Sequence, residues 1–267
     1  MAKKQDLVRV GHDGPSFLTP YVEADTSVET LKEHRVLNRL AVIQSNSPRE
    51  VKEKFGEGSL AIPASEAVVV KIDERVEFVP VFFFDEYVTW ADRDDSAGPM
   101  ILERSTDATS ELAQKAGDFD RMREKYGEPD NDGELPFTMR HCHHLNFAGM
   151  LYSGDLSGTP IVVTFSRGDF KKGRSFISAI LMRKVDGKQA PLWATRWQLY
   201  SEPRKNDKGE WYGIGFSNAE DPWIKESDAE SLKLLHEEMK EFYEAQRLSV
   251  AHEAAEIEED EEGEKRF

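Results

Sequence analysis

The stretch best equipped for chemistry is "TRWQLYSEPRKNDKGEWYGIGF", residues 195–216. In an extended chain alternate side chains share a face. Trp193, Thr195, Trp197 and Leu199 then lie on one side and Ala194, Arg196, Gln198 and Tyr200 on the other. In the second half Trp211, Gly213 and Gly215 oppose Tyr212, Ile214 and Phe216. The turn between the halves carries Arg204, Lys205 and Lys208. Rings of this kind stack on the bases of a single strand while Lys and Arg neutralise the phosphates beside them. Arg196, Trp197, Tyr200, Arg204, Lys205, Lys208, Trp211 and Tyr212 are therefore nucleic-acid-binding candidates. The competing reading is that Trp193 and Trp197 fill a core and the lysines solvate a turn.

Upstream, "SRGDFKKGRSFISAILMRK" places Ser166 three residues before Asp169, a helix-capping signature. Phe170, Gly173, Ile177 and Ile180 fall on one helical face, with Lys171, Lys172, Arg174, Ser175 and Ser178 around the other. Arg167, Lys171, Lys172 and Arg174 join the candidates as a phosphate path. The whole chain has a formal net charge of -16, yet residues 140–212 hold 12 Lys and Arg against 6 Asp and Glu. A basic island thus sits inside an acidic chain, which keeps a polyanionic partner open. At the other extreme, residues 253–264 carry eight acidic residues and no basic one. That composition cannot bury enough apolar surface to offset ordering, and predicts a mobile anionic tail. Such a tail competes with phosphate for the same cations.

Other constellations are weaker. In "RHCHHLNF", His141 and His143 would share one strand face and Cys142 and His144 the other. Zinc accepts such ligands, but structural sites draw them from two separated segments, so His141, Cys142 and His143 are only weak metal candidates. A histidine cluster in solvent or core is the alternative. The acids of "DRDD" and "EPDNDGE" offer a magnesium-nuclease reading, set against ordinary solvated turns. No Walker loop, dinucleotide fingerprint or His-Glu-x-x-His motif is present, so no cofactor and no enzymatic activity are expected.

These residues need strands to carry them. "VLNRLAVIQ", "EAVVVKI", "VEFVPVFFF", "LNFAGMLYS" and "TPIVVTFS" read as strands, with "GDLSG" as the turn of a hairpin. Pro80 suggests an edge or a bulge. Ser47 with Glu50 signals a short helix, and Ser227 with Glu230 a longer C-terminal one bearing Leu232, Leu235, Met239 and Phe242. The expected organisation is an irregular arm over 1–35, a binding domain over 36–220 interrupted by an insertion at 92–133, a C-terminal helix over 226–252 and the tail over 253–267. The fold class is mainly β with added helices (α+β), as a small barrel or curved antiparallel sheet. A single cysteine, no membrane-length apolar run and no signal-peptide pattern lead to a cytoplasmic expectation.

An aromatic-rich basic body followed by an acidic tail ending in Phe267 resembles the single-stranded DNA-binding proteins of phages and bacteria. The order "VLNRLAVIQSNSPREVKEKFGEG", "VEFVPVFFF", "IVVTFSRGDFKKGRSFISAI" and "WQLYSEPRKNDKGEWYGIGF" is similar to phage early proteins of that class. The resemblance implies an oligonucleotide/oligosaccharide-binding (OB) barrel that coats single-stranded DNA without strong sequence preference, in replication or recombination. It implies that Glu259, Asp260, Glu261, Glu262 and Phe267 recruit replication or recombination proteins, in the host cytoplasm. One departure is that Lys265 and Arg266 precede Phe267, where such tails keep acids to the end. The alternative from another class is an assembly factor that uses the acidic tail and C-terminal helix. Self-association stays open in either case.

Overall fold

The computed structural model describes residues 36–90, 101–117, 141–206, 209–245 and 249–250. The expected arm over 1–35, the "DRDD" and "EPDNDGE" acids, Lys208 and the tail residues Glu259, Asp260, Glu261, Glu262 and Phe267 lie outside them. The described residues form two compact units, one from residues 36–84 with 145–250 and the other from residues 85–144.

The fold is mainly β with a curled sheet and a few helices. Its strands are β1 (Val36–Leu37), β2 (Arg39–Val42), β3 (Leu60–Ile62), β4 (Ala67–Val70), β5 (Val76–Trp90), β6 (Ile101–Ser105), β7 (His141–Leu151) and β8 (Pro160–Ser166). They continue as β9 (Lys184–Val185), β10 (Lys188–Gln189), β11 (Thr195–Asn206), β12 (Gly209–Trp223) and β13 (Ser249–Val250). The helices are α1 (Arg49–Phe55), α2 (Glu111–Gly117), α3 (Phe170–Leu181) and α4 (Ala229–Glu244). The main sheet runs β12-β11-β5-β7-β8-β2-β3-β4, with β6 beside β5. β2 lies parallel to β8, whereas β11 is antiparallel to both β12 and β5.

The first unit has two main hydrophobic clusters. One gathers Phe78, Phe147, Phe165, Phe176, Trp197 and Leu199, all essentially inaccessible to solvent, with Phe216 half-buried against them. Phe176 of α3 meets Trp197 edge-on at 5.1 Å and Phe216 at 4.6 Å. Gly173 lets α3 sit this close: a Cβ there would lie 2.6 Å from Phe165 Cβ. The other cluster seats α4 through Leu232 and Met239 on Val79, Val81 and Phe84, with Leu235 and Tyr243 partly buried around them. His236 Nδ1 donates to Val81 O at 2.6 Å, and Tyr152 donates its hydroxyl proton to Asp228 at the start of α4.

Several local expectations are corrected. Neither Ser47, Ser166 nor Ser227 caps a helix. Pro48 precedes α1, while short 3-10 turns, Arg167–Asp169 and Glu226–Asp228, lead into α3 and α4. Ser47 Oγ instead accepts from Gln44 N at 3.1 Å. Pro80 stands in an interior strand. Its missing N–H is tolerated because the pairing of β5 with β11 stops at Phe78, so Pro80 meets the expectation of an edge locally, while β5 as a whole lies inside the sheet order. The expected turn "EPRKNDKG" is mostly strand: β11 runs to Asn206, which pairs with Gly209. Part of the 92–133 insertion is regular, as β6 and α2, and Leu112, Ala113 and Ala116 of α2 bury against Tyr87 in the second unit.

Candidate nucleic-acid interface

The β11–β12 register decides which candidate faces solvent. Leu199 opposes Phe216 and Ser201 opposes Ile214, so these share the inner face with Trp197; Tyr200 opposes Gly215, Glu202 opposes Gly213 and Arg204 opposes Trp211 on the outer face. Trp197 is 1% exposed and its indole N–H donates to Thr195 Oγ1 at 2.9 Å. It is a core residue, which corrects the expectation that it stacks on a base. Trp193 sits in a 3-10 turn, Leu192–Ala194, packs partly buried beneath α4, and does not continue the strand face.

Arg196 is likewise withdrawn from solvent. It ion-pairs with Glu77 at 3.2 Å and Asp221 at 2.7 Å and lies over the Tyr152 ring at 5.2 Å. Arg204 pairs with Asp169 and with Glu202 at 3.4 Å, and its Nη2 donates to Ile214 O at 3.2 Å. Its guanidinium lies flat over Gly213, where a Cβ would come within 2.6 Å of it. Burial pushes the Asp169 carboxyl above its ordinary value, against the pull of Arg204 and of the Ile214 N–H. Lys172 pairs with Glu202 at 3.1 Å and lies 5.4 Å over the Phe216 ring.

Asp169 and Arg204 have a structural task here. Ile214 directs its N–H and C=O to the outer edge of β12, away from β11, and the Asp169 carboxylate and Arg204 guanidinium take their place as partners at 3.4 Å and 3.2 Å. Two residues along, the Gln44 amide does the same for Tyr212, donating to its C=O at 2.7 Å and accepting from its N–H at 2.9 Å. Side chains thus supply, at Tyr212 and Ile214, the bonds that a further strand would make, and this seam covers part of the edge that β12 presents at the end of the curled sheet. Tyr212 also packs its ring on Gly58, whose positive φ of 74° and lack of a Cβ admit it. The sequence showed the cations; Gln44 carried no motif, and Asp169 stood out only as half of a helix-capping signature.

The remaining candidates reach solvent at least in part. Tyr200 is half-buried over Gly215, with the Arg75 guanidinium 4.6 Å from its ring centre. Trp211 is half-buried against Gly168, 3.6 Å from the position a Cβ would take. Next to Gly168, Arg167 is exposed with φ 47°, and the first turn of α3 presents Lys171 and Arg174 to solvent. Neither Lys171 nor Arg174 has an ion-pair partner among the described residues. Lys205 is exposed and pairs with the equally exposed Glu210 at 2.6 Å, a contact that water and salt screen.

The histidine stretch lies on β7 in the second unit and turns toward β5. His141 Nδ1 meets Thr89 Oγ1 at 2.9 Å; His143 Nε2 meets Asp85 at 2.6 Å and stacks on Tyr87 at 4.6 Å; His144 lies 3.5 Å from Glu86. Cys142 is buried. Each histidine has a different partner, and among the described residues no group of three or more His, Cys, Asp or Glu is gathered to hold a metal.

Among the described residues no helix is long and apolar enough to cross a membrane. No curated protein matches the chain. A family model, Pam3 phage gp34-like protein, matches residues 15–250, which takes in the curled sheet, the seam and the outer face of the hairpin. The chain therefore belongs to the Pam3 phage gp34-like protein family and is a phage protein.

Proposed function

We propose that this phage protein binds single-stranded DNA without strong sequence preference, as a non-enzymatic factor in phage replication or recombination in the host cytoplasm. The observation that carries the reading is the half-exposed Trp211 indole lying on Gly168, flanked by Arg167 and by Lys171 and Arg174 of α3. A base stacked on that indole puts its phosphates within reach of three cationic side chains, with Tyr200 further along the same strand face. The OB-like curl of the sheet supports it, since such sheets present one strand face to an oligonucleotide. The acidic run over 253–264 acts as a competitor for the same cations, and the end of the chain recruits replication or recombination proteins.

Titrating oligo-dT into the protein while following tryptophan fluorescence tests this. Quenching that disappears in Trp211→Ala, with log affinity falling about 0.7 per released phosphate contact as log salt rises, is the expected result. Salt-independent binding, or quenching that survives Trp211→Ala, overturns it. Removing residues 253–267 separates this reading from that of an assembly factor: DNA affinity rises in the first case, and a protein partner is lost in the second.

A further inference from the structure

The far end of α3 presents a different chemistry. Its last turn exposes Leu181 (57%) and Met182 (80%), and β9 exposes Val185 (47%). Single exposed apolar residues are ordinary, but these three fall within five residues on one small, rigid module. Asp186 and Gly187, with φ 50° and 77°, form a two-residue left-handed turn that sets Val185 opposite Lys188 and Lys184 opposite Gln189. Gln189 Nε2 then lies within donating distance of the carbonyls of Ile180, Arg183 and Ala190 at 3.3, 3.1 and 3.3 Å, beside the backbone bonds Arg183 N to Ile180 O and Ala190 N to Arg183 O, and so ties the hairpin to the helix end. Arg183 bolts the module to the sheet through Asn218 at 2.6 Å and the Trp197 ring at 5.0 Å.

The apolar trio is therefore held in place before any partner arrives, which removes much of the ordering cost of binding. Lys184 and Lys188 stand beside it without ion-pair partners among the described residues, and Asp186 is the one acid between 181 and 189. No ring is exposed there, so the module offers a nucleic base nothing to stack on. The rest of the helix's outer face is Ser178, Ser175, Arg174 and Lys171, too polar to enter a bilayer as an amphipathic helix does.

We infer that this module docks a protein segment in which acidic side chains surround an aliphatic pair. Leu181, Met182 and Val185 take the aliphatic groups, and Lys184 and Lys188 pair with the flanking carboxylates. Along the helix Lys171 and Leu181 stand about 15 Å apart at 1.5 Å per residue, so the two sites can be altered independently.

The test is fluorescence anisotropy on the full chain with a labelled glutamate-rich peptide carrying a pair of leucines, against the same peptide with serines in their place. The leucine peptide is expected to bind about tenfold tighter than the serine one. Met182→Asp with Val185→Asp should erase that tenfold, and Lys184→Glu with Lys188→Glu should weaken both peptides, while oligo-dT affinity stays as in the parent. Equal binding of the two peptides overturns the inference. So does an unchanged leucine-peptide affinity in the charge-reversal variant, which also decides the matter if the aspartate variant fails to fold. A defect that appears instead with phosphatidylglycerol vesicles or with oligo-dT assigns the module to a membrane or to DNA and equally overturns it.

Discussion

Two cationic regions of the first unit differ in what surrounds them. On the β11–β12 hairpin, Arg196, Arg204 and Lys205 all meet carboxylates, and Lys172 of α3 reaches across to the same set at Glu202. On the outer face of α3, Lys171 and Arg174 meet none among the described residues. Both regions are basic in sequence, but apart from the exposed Lys205 the hairpin's cations are withdrawn from solvent against their acids, whereas Lys171 and Arg174 project theirs into it. A cation neutralised by a buried acid holds the fold, whereas one that meets only water is available to a phosphate.

Breaking the hairpin's pairs should therefore cost stability, and breaking the helix's should cost binding. The largest effect is expected for Arg204→Ala. It leaves Asp169 buried without its counter-charge and the Ile214 carbonyl without a donor, a loss of about 3 kcal/mol in urea denaturation. Lys171→Ala with Arg174→Ala should change stability by less than about 0.5 kcal/mol. Its effect appears in oligo-dT affinity, which falls roughly tenfold at low salt, with the salt dependence reduced by about one to two contacts. An Arg204→Ala protein of parental stability, or a Lys171→Ala, Arg174→Ala protein of parental affinity, would abolish the contrast.

Gln44→Ala sharpens it at the seam. With the Tyr212 N–H and C=O both left to water, stability should drop by about 1 kcal/mol, and the Tyr212 amide should exchange hydrogen faster than that of Ile214. The smallest effect concerns pH. The folded Asp169 carboxyl sits above its ordinary 3.8, so the folded chain holds that proton more firmly than the unfolded one. Its contribution to stability is full below 3.8 and is lost as pH rises through the folded value. Asp169→Asn should remove that dependence, and parallel stability curves for parent and variant over this window would refute it.

Much of the fold was legible because periodicity is local. The near-continuous apolar run of "IVVTF" marks a strand buried on both faces, the helical spacing of Leu232, Leu235 and Met239 marks one apolar helix face, and these residues are buried, Leu235 in part. The helix starts were less legible. Capping depends on side-chain geometry at one residue, and at Ser166 and Ser227 the chain takes a 3-10 turn first. At the hairpin, strand alternation gave the two faces of residues 195–216, but Trp197 and Tyr200 look equally ring-like on paper. Which face meets α3 depends on Phe176 and Gly173, some twenty residues upstream.

By itself the sequence determined the basic island, the acidic run near its end, the strand-rich class and the placing of cations near rings, because composition and short-range periodicity are written in adjacent residues. Tertiary structure alone decided which of those cations carry free charge. Glu77, Asp169 and Glu202 reach Arg196, Arg204 and Lys172 through sheet register and the seating of α3 against the hairpin. The physical reason is that Coulomb interactions act through space over a few ångströms, and only the folded chain sets those distances.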